Sequence, residues 1–321
     1  MSPQEQLKNL EQHIGRQIIG QKQLINRLLI ALLADGHLLV EGAPGLAKTR
    51  AIKVLGDGIA GNFHRVQFTP DLLPADLTGT EIFHPQDGSF AFQRGPLFHN
   101  LILADEINRA PAKVQSALLE AMAERQITVG SVTYPLPALF LVMATQNPIE
   151  QEGTYPLPEA QLDRFLMHVK IDYPKADEER EILYLARSEA RQHAQPVEPE
   201  FLMDQTALFA ARDQVLDIHM AQALEEYLLQ IVLATRAPAL YGDELAAWVD
   251  YGASPRATIA LDRCARAHAW LAGRDYVKPE DIQSLAYDVL RHRVLLSYEA
   301  EAEGVTPDQF IREILSLVAV P

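Results

Sequence analysis

The feature that most constrains this chain is a short loop, Gly42-Ala43-Pro44-Gly45-Leu46-Ala47-Lys48-Thr49, caught between an apolar run and a helical one. Ahead of it stands His37-Leu38-Leu39-Val40-Glu41, which suits a strand buried inside a parallel sheet. Behind it, Arg50-Ala51-Ile52-Lys53-Val54-Leu55 continues as helix. A strand that passes into a helix through glycines aims backbone N–H groups at one point, with the positive end of the helix dipole behind them. Phosphate oxygens suit that point, since Lys48 adds charge and the Thr49 hydroxyl offers a ligand for Mg²⁺. Ala47 stands where the strict GxxxxGK[ST] pattern has glycine. The competing reading is a turn that only caps a helix, and the complete strand, loop and helix context weighs against it.

Four more apolar runs resemble the first: Phe63–Phe68, Leu101–Asp105, Leu139–Ala144 and Phe165–Ile171. Helical patterns lie between several of them, notably Ala112–Glu124, so a five-stranded parallel sheet with crossover helices is expected. The segment Gln4–Leu33 reads as one helix, with Leu24, Leu28 and Leu32 recurring at i+4. After Asp172-Tyr173-Pro174 the strand-like runs stop and helical stretches follow to the end. Gln195–Glu200 breaks two of them, and Pro255, Pro279 and Pro307 each stand where a helix should begin. The expected fold is therefore an α/β nucleotide-binding core over residues 1–173 and an all-α domain over residues 174–321.

A chain of 321 residues can fill two such domains without metal or disulfide staples. The single cysteine, Cys264, has no internal partner, and a reducing cytoplasm fits that. Cys264 and His268 share a helical spacing that could meet at a metal, but with no third ligand in reach they read as core or interface residues. The start lacks the basic-then-apolar layout of a secretory signal, and no apolar run is long enough to span a bilayer, so a soluble protein is expected. A net charge of −15 argues against broad nucleic-acid binding, which needs clustered Lys and Arg.

A second buried run ends in Asp105-Glu106. Two acids there are costly to bury unless a cation or water engages them. Beside a phosphate cradle, Asp105 is placed to hold Mg²⁺ through water, and Glu106 to orient and deprotonate an attacking water. An acidic helix N-cap is the alternative.

Five segments now line up in order: Gly42–Thr49, Asp105-Glu106-Ile107-Asn108-Arg109-Ala110, Ala144-Thr145-Gln146-Asn147-Pro148, Leu162-Asp163-Arg164-Phe165 and Gly252-Ala253-Ser254-Pro255-Arg256-Ala257. Together the chain resembles the MoxR family of AAA+ ATPases, from Ile19-Gly20-Gln21 to His292-Arg293, and GLAKT is a form this family uses. The resemblance implies an AAA+ core with a helical lid, ATP and Mg²⁺ as ligands, and a nucleotide-binding segment made of Gly42, Ala43, Pro44, Gly45, Leu46, Ala47, Lys48, Thr49 and Arg50. It implies that Asn147 is sensor 1, that Arg164 is an arginine finger acting in trans on a neighbour's nucleotide, and that Arg256 is sensor 2, in cis or in trans. Arg109 is a further interface candidate. Blander readings are an Asn-Pro turn for Asn147, a surface ion pair for Arg164 and a solvent-facing helix start for Arg256.

The resemblance also implies that residues 70–98 form a helix 2 insert and residues 125–135 a hairpin before sensor 1, both facing the pore of a ring; passive packing between subunits is the alternative. Alternation around Gly130 agrees with a hairpin. The implied function is a hexameric ring that remodels or matures protein complexes beside von Willebrand factor A domain partners. A nucleic-acid motor and a nucleotide-gated scaffold are the rivals, and acidity weighs against the first.

Overall fold

Alternation along the apolar strands sorts their side chains onto both faces of one sheet. The computed structural model describes residues 1–86, 88–148, 153–191 and 202–321. Its strands are β1 (Leu38–Glu41), β2 (Phe63–Gln67), β3 (Gly79–His84), β4 (Ser89–Arg94), β5 (Leu101–Asp105), β6 (Gln126–Val129), β7 (Val132–Pro135), β8 (Leu141–Gln146), β9 (Met167–Lys170), β10 (Val249–Tyr251) and β11 (Leu295–Leu296). The five expected strands form the central sheet in the order β2-β5-β8-β1-β9, and every neighbouring pair is parallel. Leu38, Val40, Leu101, Leu103, Leu141 and Met143 pack on one face with the helices Pro3–Gln17, Lys22–Leu33 and Lys48–Gly58. Leu39, Ile102, Ala104, Val142 and Ala144 pack on the other against helix Ala112–Glu124. Burial on both faces explains why these strands are apolar throughout.

The order has a functional consequence. Strand β8 lies between β1 and β5, so the loops leaving β1, β5 and β8 emerge side by side at one edge of the sheet. That carboxyl edge is where open α/β sheets bind ligands.

Two local expectations need correction, and a third lies outside the described residues. The amino-terminal helix is two helices, Pro3–Gln17 and Lys22–Leu33, broken at Gly20. Gly20 has φ +78°, and a Cβ there would lie 2.9 Å from Pro174 Cβ, so the chain turns where glycine alone fits. The second half is not all-α, because β10 and β11 pair antiparallel. Runs of three and two residues are too short to leave a periodic signal. Gln195–Glu200 lies outside the described residues.

The expected helix starts at Pro255, Pro279 and Pro307 coincide with those of helices Pro255–Leu271, Pro279–Leu290 and Pro307–Leu317. Cys264 is buried, and burial pushes its thiol up to about 12. His268 Nδ1 lies 2.6 Å from Asp281 Oδ1, and no metal-holding cluster occurs among the described residues. Among those residues, no helix is long and apolar enough to cross a membrane. The stretch 70–98 contains a short helix, Pro74–Thr78, and the β3–β4 hairpin; β6 and β7 form a second hairpin through Gly130. Phe92 stacks on Tyr134 with ring centroids 4.3 Å apart, which fastens the two hairpins together.

Candidate nucleotide site

The loop after β1 is pinned before it turns. Gly42 N donates to Gln146 O at 3.3 Å, at the end of β8. A Cβ on Gly42 would meet Ile171 Cγ1 at 2.4 Å and Ile171 O at 2.9 Å, so only glycine lets the loop pass the end of β9. Gly45 (φ +82°) and Ala47 (φ +58°) are both left-handed. Such residues turn successive N–H groups into one concavity. The position that usually carries glycine therefore keeps its glycine-like backbone, with Ala47 bearing about 1–2 kcal/mol of strain. Lys48 Nζ donates to Gly42 O at 2.6 Å and Gln146 O at 3.4 Å. Burial lowers its pKa, opposed by the charges of Asp105, Glu106 and Glu41.

Arg50 lines the space beside the loop but is tied to another partner. Its guanidinium pairs with both carboxylate oxygens of Glu189 on helix Ala176–Arg191, one contact being 3.1 Å. That pair raises the pKa of Arg50 and lowers that of Glu189. Between this helix and the loop lies a cavity of about 270 Å³ lined by Ile19, Gln21, Leu46, Ala47 and Ile182. Its apolar walls beside a phosphate cradle suit a flat heterocycle.

The acid pair sits one strand beyond β8. Asp105 Oδ1 accepts from Thr145 Oγ1 at 2.6 Å, and Oδ2 accepts from Arg65 Nη2 at 2.7 Å and Nε at 3.1 Å. Glu106 is left-handed (φ +57°) and its N–H donates to Thr145 Oγ1 at 2.9 Å. Its carboxylate accepts from Gln67 Nε2 at 2.8 Å and lies 2.9 Å from Arg109 Nε. One hydroxyl thus fixes the Asp105 carboxylate and the Glu106 backbone, while Arg65 and Gln67 on β2 hold oxygens of the two acids. Arg109 rests against the Glu106 carboxylate, apart from the cavity that holds Arg164. Asn147, just past β8, is buried beside Asn108, Glu41 and His168 in a cavity of about 360 Å³. His168 Nε2 lies 2.8 Å from Glu41 Oε2, and that contact holds the Glu41 carboxyl below its ordinary range.

The remaining two candidates are elsewhere. Arg164 and Arg256 line a cavity of about 310 Å³ together with Arg125, Arg263 and Arg293, against only Asp35 and Asp163 as anions. His37 also lines it, at the start of β1, whereas the phosphate loop leaves the other end of that strand. Five residue steps along β1 separate His37 from Gly42, roughly 16 Å at the rise of a β-strand. The structure therefore brings Lys48, Thr49, Asp105, Glu106 and Asn147 to one edge of the sheet and sets Arg164 and Arg256 at the opposite edge.

Thr145, Arg65 and Gln67 were not expected from sequence. Arg65 and Gln67 left a signal: polar side chains at alternate positions of Phe63–Phe68, a strand paired with the one that ends in Asp105. Thr145 left only its place before Gln146-Asn147.

Comparison with known proteins agrees with this layout. The family model for the ATPase family associated with various cellular activities (AAA) matches residues 37–167, and an AAA lid domain model matches residues 246–314. Chaperone MoxR1 of Mycobacterium tuberculosis is 46% identical over 96% of this chain and 80% of its own length. This chain belongs to the MoxR family of AAA+ ATPases. Protein MoxR of Methylorubrum extorquens is 34% identical over 97% of this MoxR-type chain and 94% of its own. A solved structure of a candidate ATPase from Cytophaga hutchinsonii superposes with a TM-score of 0.91 at 47% identity, covering 99% of this chain and 96% of that one. In this MoxR-type ATPase, Asp105 and Glu106 lie at one edge of the sheet and the arginine-rich cavity lies at the other.

Proposed function

We propose that this ATPase hydrolyses ATP at sites shared between adjacent copies in a ring and uses the cycle to remodel or mature protein complexes. One observation carries the reading: Arg164 and Arg256 lie in an arginine-lined cavity at the strand edge remote from the chain's own phosphate loop. A cluster of guanidinium groups against two acids is an anion site in want of an anion, and the γ-phosphate of a neighbour's nucleotide supplies one. On this reading both residues act in trans. The chain divides at residues 173/174 into core and lid.

In each site, N–H groups of Gly42 to Ala47 and the Lys48 ammonium bind the phosphates, and the cavity beside Ile19 and Ile182 receives the base. A hydroxyl and a carboxylate are hard oxygen donors that fit Mg²⁺, and Thr49 with Asp105, the latter through water, would hold it. When bound, that ion neutralises charge on the β- and γ-phosphates. Glu106, its backbone held by Thr145 and its carboxylate by Gln67, accepts the proton of the attacking water, while Asn147 positions that water. An aligned finger contributes about 10³- to 10⁵-fold, or roughly 4–7 kcal/mol of barrier.

Mixed rings test the reading. Arg164→Ala and Lys48→Ala each abolish most turnover alone, and their mixture recovers part of it; full activity of Arg164→Ala alone excludes a shared site. The hexameric count, the cytoplasmic location and a von Willebrand factor A domain partner rest on the family relationship. Capture with Glu106→Gln in Mg·ATP should retain such a partner and release it from wild type upon hydrolysis; equal release by both proteins favours a scaffold. The acidity of the chain disfavours a nucleic-acid motor, which predicts no stimulation of turnover by DNA.

A further inference from the structure

The two arginines at the remote edge come from different parts of the chain. Arg164 follows helix Glu159–Leu162 and precedes β9, whereas Arg256 opens helix Pro255–Leu271. Something must hold these two segments in fixed relation if both are to meet one phosphate group. The segment Arg291-His292-Arg293, directly after helix Pro279–Leu290, reaches the site of contact. Arg293 has a side chain only 2% exposed, and its Nε donates to Asp163 Oδ1 at 2.8 Å. Its Nη2 donates to Asp163 O at 3.2 Å and Phe165 O at 2.6 Å, and Nη1 to Leu166 O at 3.2 Å and Val289 O at 2.5 Å. The carbonyls on either side of Arg164 are therefore held by one guanidinium.

Asp163 extends the connection. Ser254 Oγ donates to Asp163 Oδ2 at 2.9 Å and Oδ1 at 3.1 Å, and the same Ser254 caps the helix that begins with Pro255-Arg256. Arg256 Nη1 lies 3.8 Å from Asp163 Oδ2, a loose contact for a side chain that is 55% exposed. The neighbours of Arg293 do a different job. Arg291 Nη1 donates to His168 O and His292 Nε2 lies 3.2 Å from Phe165 O, which fixes this segment to β9 without touching Asp163.

We propose that Arg293 is a positioning residue for hydrolysis in the adjacent subunit: through Asp163 and the carbonyls around Arg164, it sets the spacing between Arg164 and Arg256. The proposal rests on the shared-site reading above. Only a guanidinium has donors enough in a planar fork to span these acceptors; an ammonium carries the charge but not the fork. Displacement of a catalytic group by about 1 Å costs on the order of 10²-fold in rate. Arg256, held loosely, is free to leave Asp163 for a phosphate, while buried Arg293 stays.

The test uses assembled rings of Arg293→Lys. Turnover should fall about tenfold to hundredfold with the affinity of its own site for ATP within about twofold of wild type. Mixing with Lys48→Ala, which brings an intact remote edge, should recover turnover. Wild-type turnover by Arg293→Lys overturns the proposal. So does a loss that Lys48→Ala fails to recover while Arg164→Ala is recovered in the parallel mixture, since the defect then lies within the subunit's own site. Failure of both mixtures overturns the shared-site reading and this proposal with it. Should Arg293→Lys not fold, Asp163→Asn carries the same test, because it weakens the Arg293 and Ser254 contacts with almost no change of shape: turnover must fall and must return with Lys48→Ala, and failure of either overturns the proposal.

Discussion

Arg50 lies next to the phosphate loop in sequence and yet is tied to Glu189 in space. If it serves phosphate, it must exchange partners when nucleotide binds, and the exchange can be measured. The side chains of Arg50 and Glu189 are 36% and 44% exposed, so the pair is a surface ion pair contributing about 0.2–1 kcal/mol. A hydrogen bond from a guanidinium to phosphate contributes about 1.5–3 kcal/mol, so exchange is favourable. Glu189→Ala removes the competing partner and should tighten Mg·ATP binding about 1.5- to 5-fold. Arg50→Ala should weaken binding about 2- to 100-fold, the phosphate bond less the ion pair given up for it. Fluorescent-nucleotide titration reads both, and near 1 M salt, where the screening length is about 3 Å, the Glu189→Ala effect should vanish. If Arg50→Ala binds within about twofold of wild type while Glu189→Ala weakens binding, Arg50 is a strut for helix Ala176–Arg191 and does not belong to the nucleotide site.

Two further predictions concern groups held in this structure by other partners. Arg65, with a side chain 49% exposed, competes with a cation for Asp105, so Arg65→Ala should lower the Mg²⁺ concentration for half-maximal nucleotide binding about two- to fivefold; a rise refutes the competition. His37 accepts from Val142 N at 3.1 Å, and burial, then Arg125, hold its pKa down at about 3 against 6.5. Because the folded pKa is depressed, stability is full above pH 6.5 and is lost as pH falls toward 3, by roughly 2–3 kcal/mol at pH 4.5 from this residue. Chemical unfolding of wild type and His37→Gln at both pH values checks this, and equal pH dependence of the two refutes it.

How much of this was legible in the sequence follows from the range of each signal. The central strands could be read because burial on both faces makes them apolar runs, and Leu101–Asp105 is observed with its expected limits. The break at Gly20 was hidden, since a single glycine inside a helical pattern does not by itself stop a helix. Lys48, Thr49, Asp105 and Glu106 stood out because phosphate and metal chemistry fixes residue type and spacing within one loop or strand end. Thr145 did not, because its role depends on β8 lying beside β5, a fact of topology. Arg293 was also silent: an arginine after a helix looks solvent-facing until Asp163, 130 positions away, is found against it.

Two groups of arginines differ in burial, and the difference suits a machine that cycles. Arg291 and Arg293 have side chains 7% and 2% exposed and are surrounded by Asp288, Asp308, Asp163 and backbone carbonyls. Taking such a charge from its partners strands the acid in a low-dielectric interior, a cost of about 3–5 kcal/mol, so these contacts persist through turnover. Arg50, Arg65, Arg109 and Arg256 are 36% to 55% exposed and each rests on a carboxylate. Changing partners there involves about 1 kcal/mol or less, well within what phosphate binding supplies. Nucleotide can therefore re-pair the second set without disturbing the first. On the proposed shared-site reading, Arg293 joins the lid to the segment that bears Arg164, so a lid displaced by nucleotide in one subunit would carry with it the finger offered to the next.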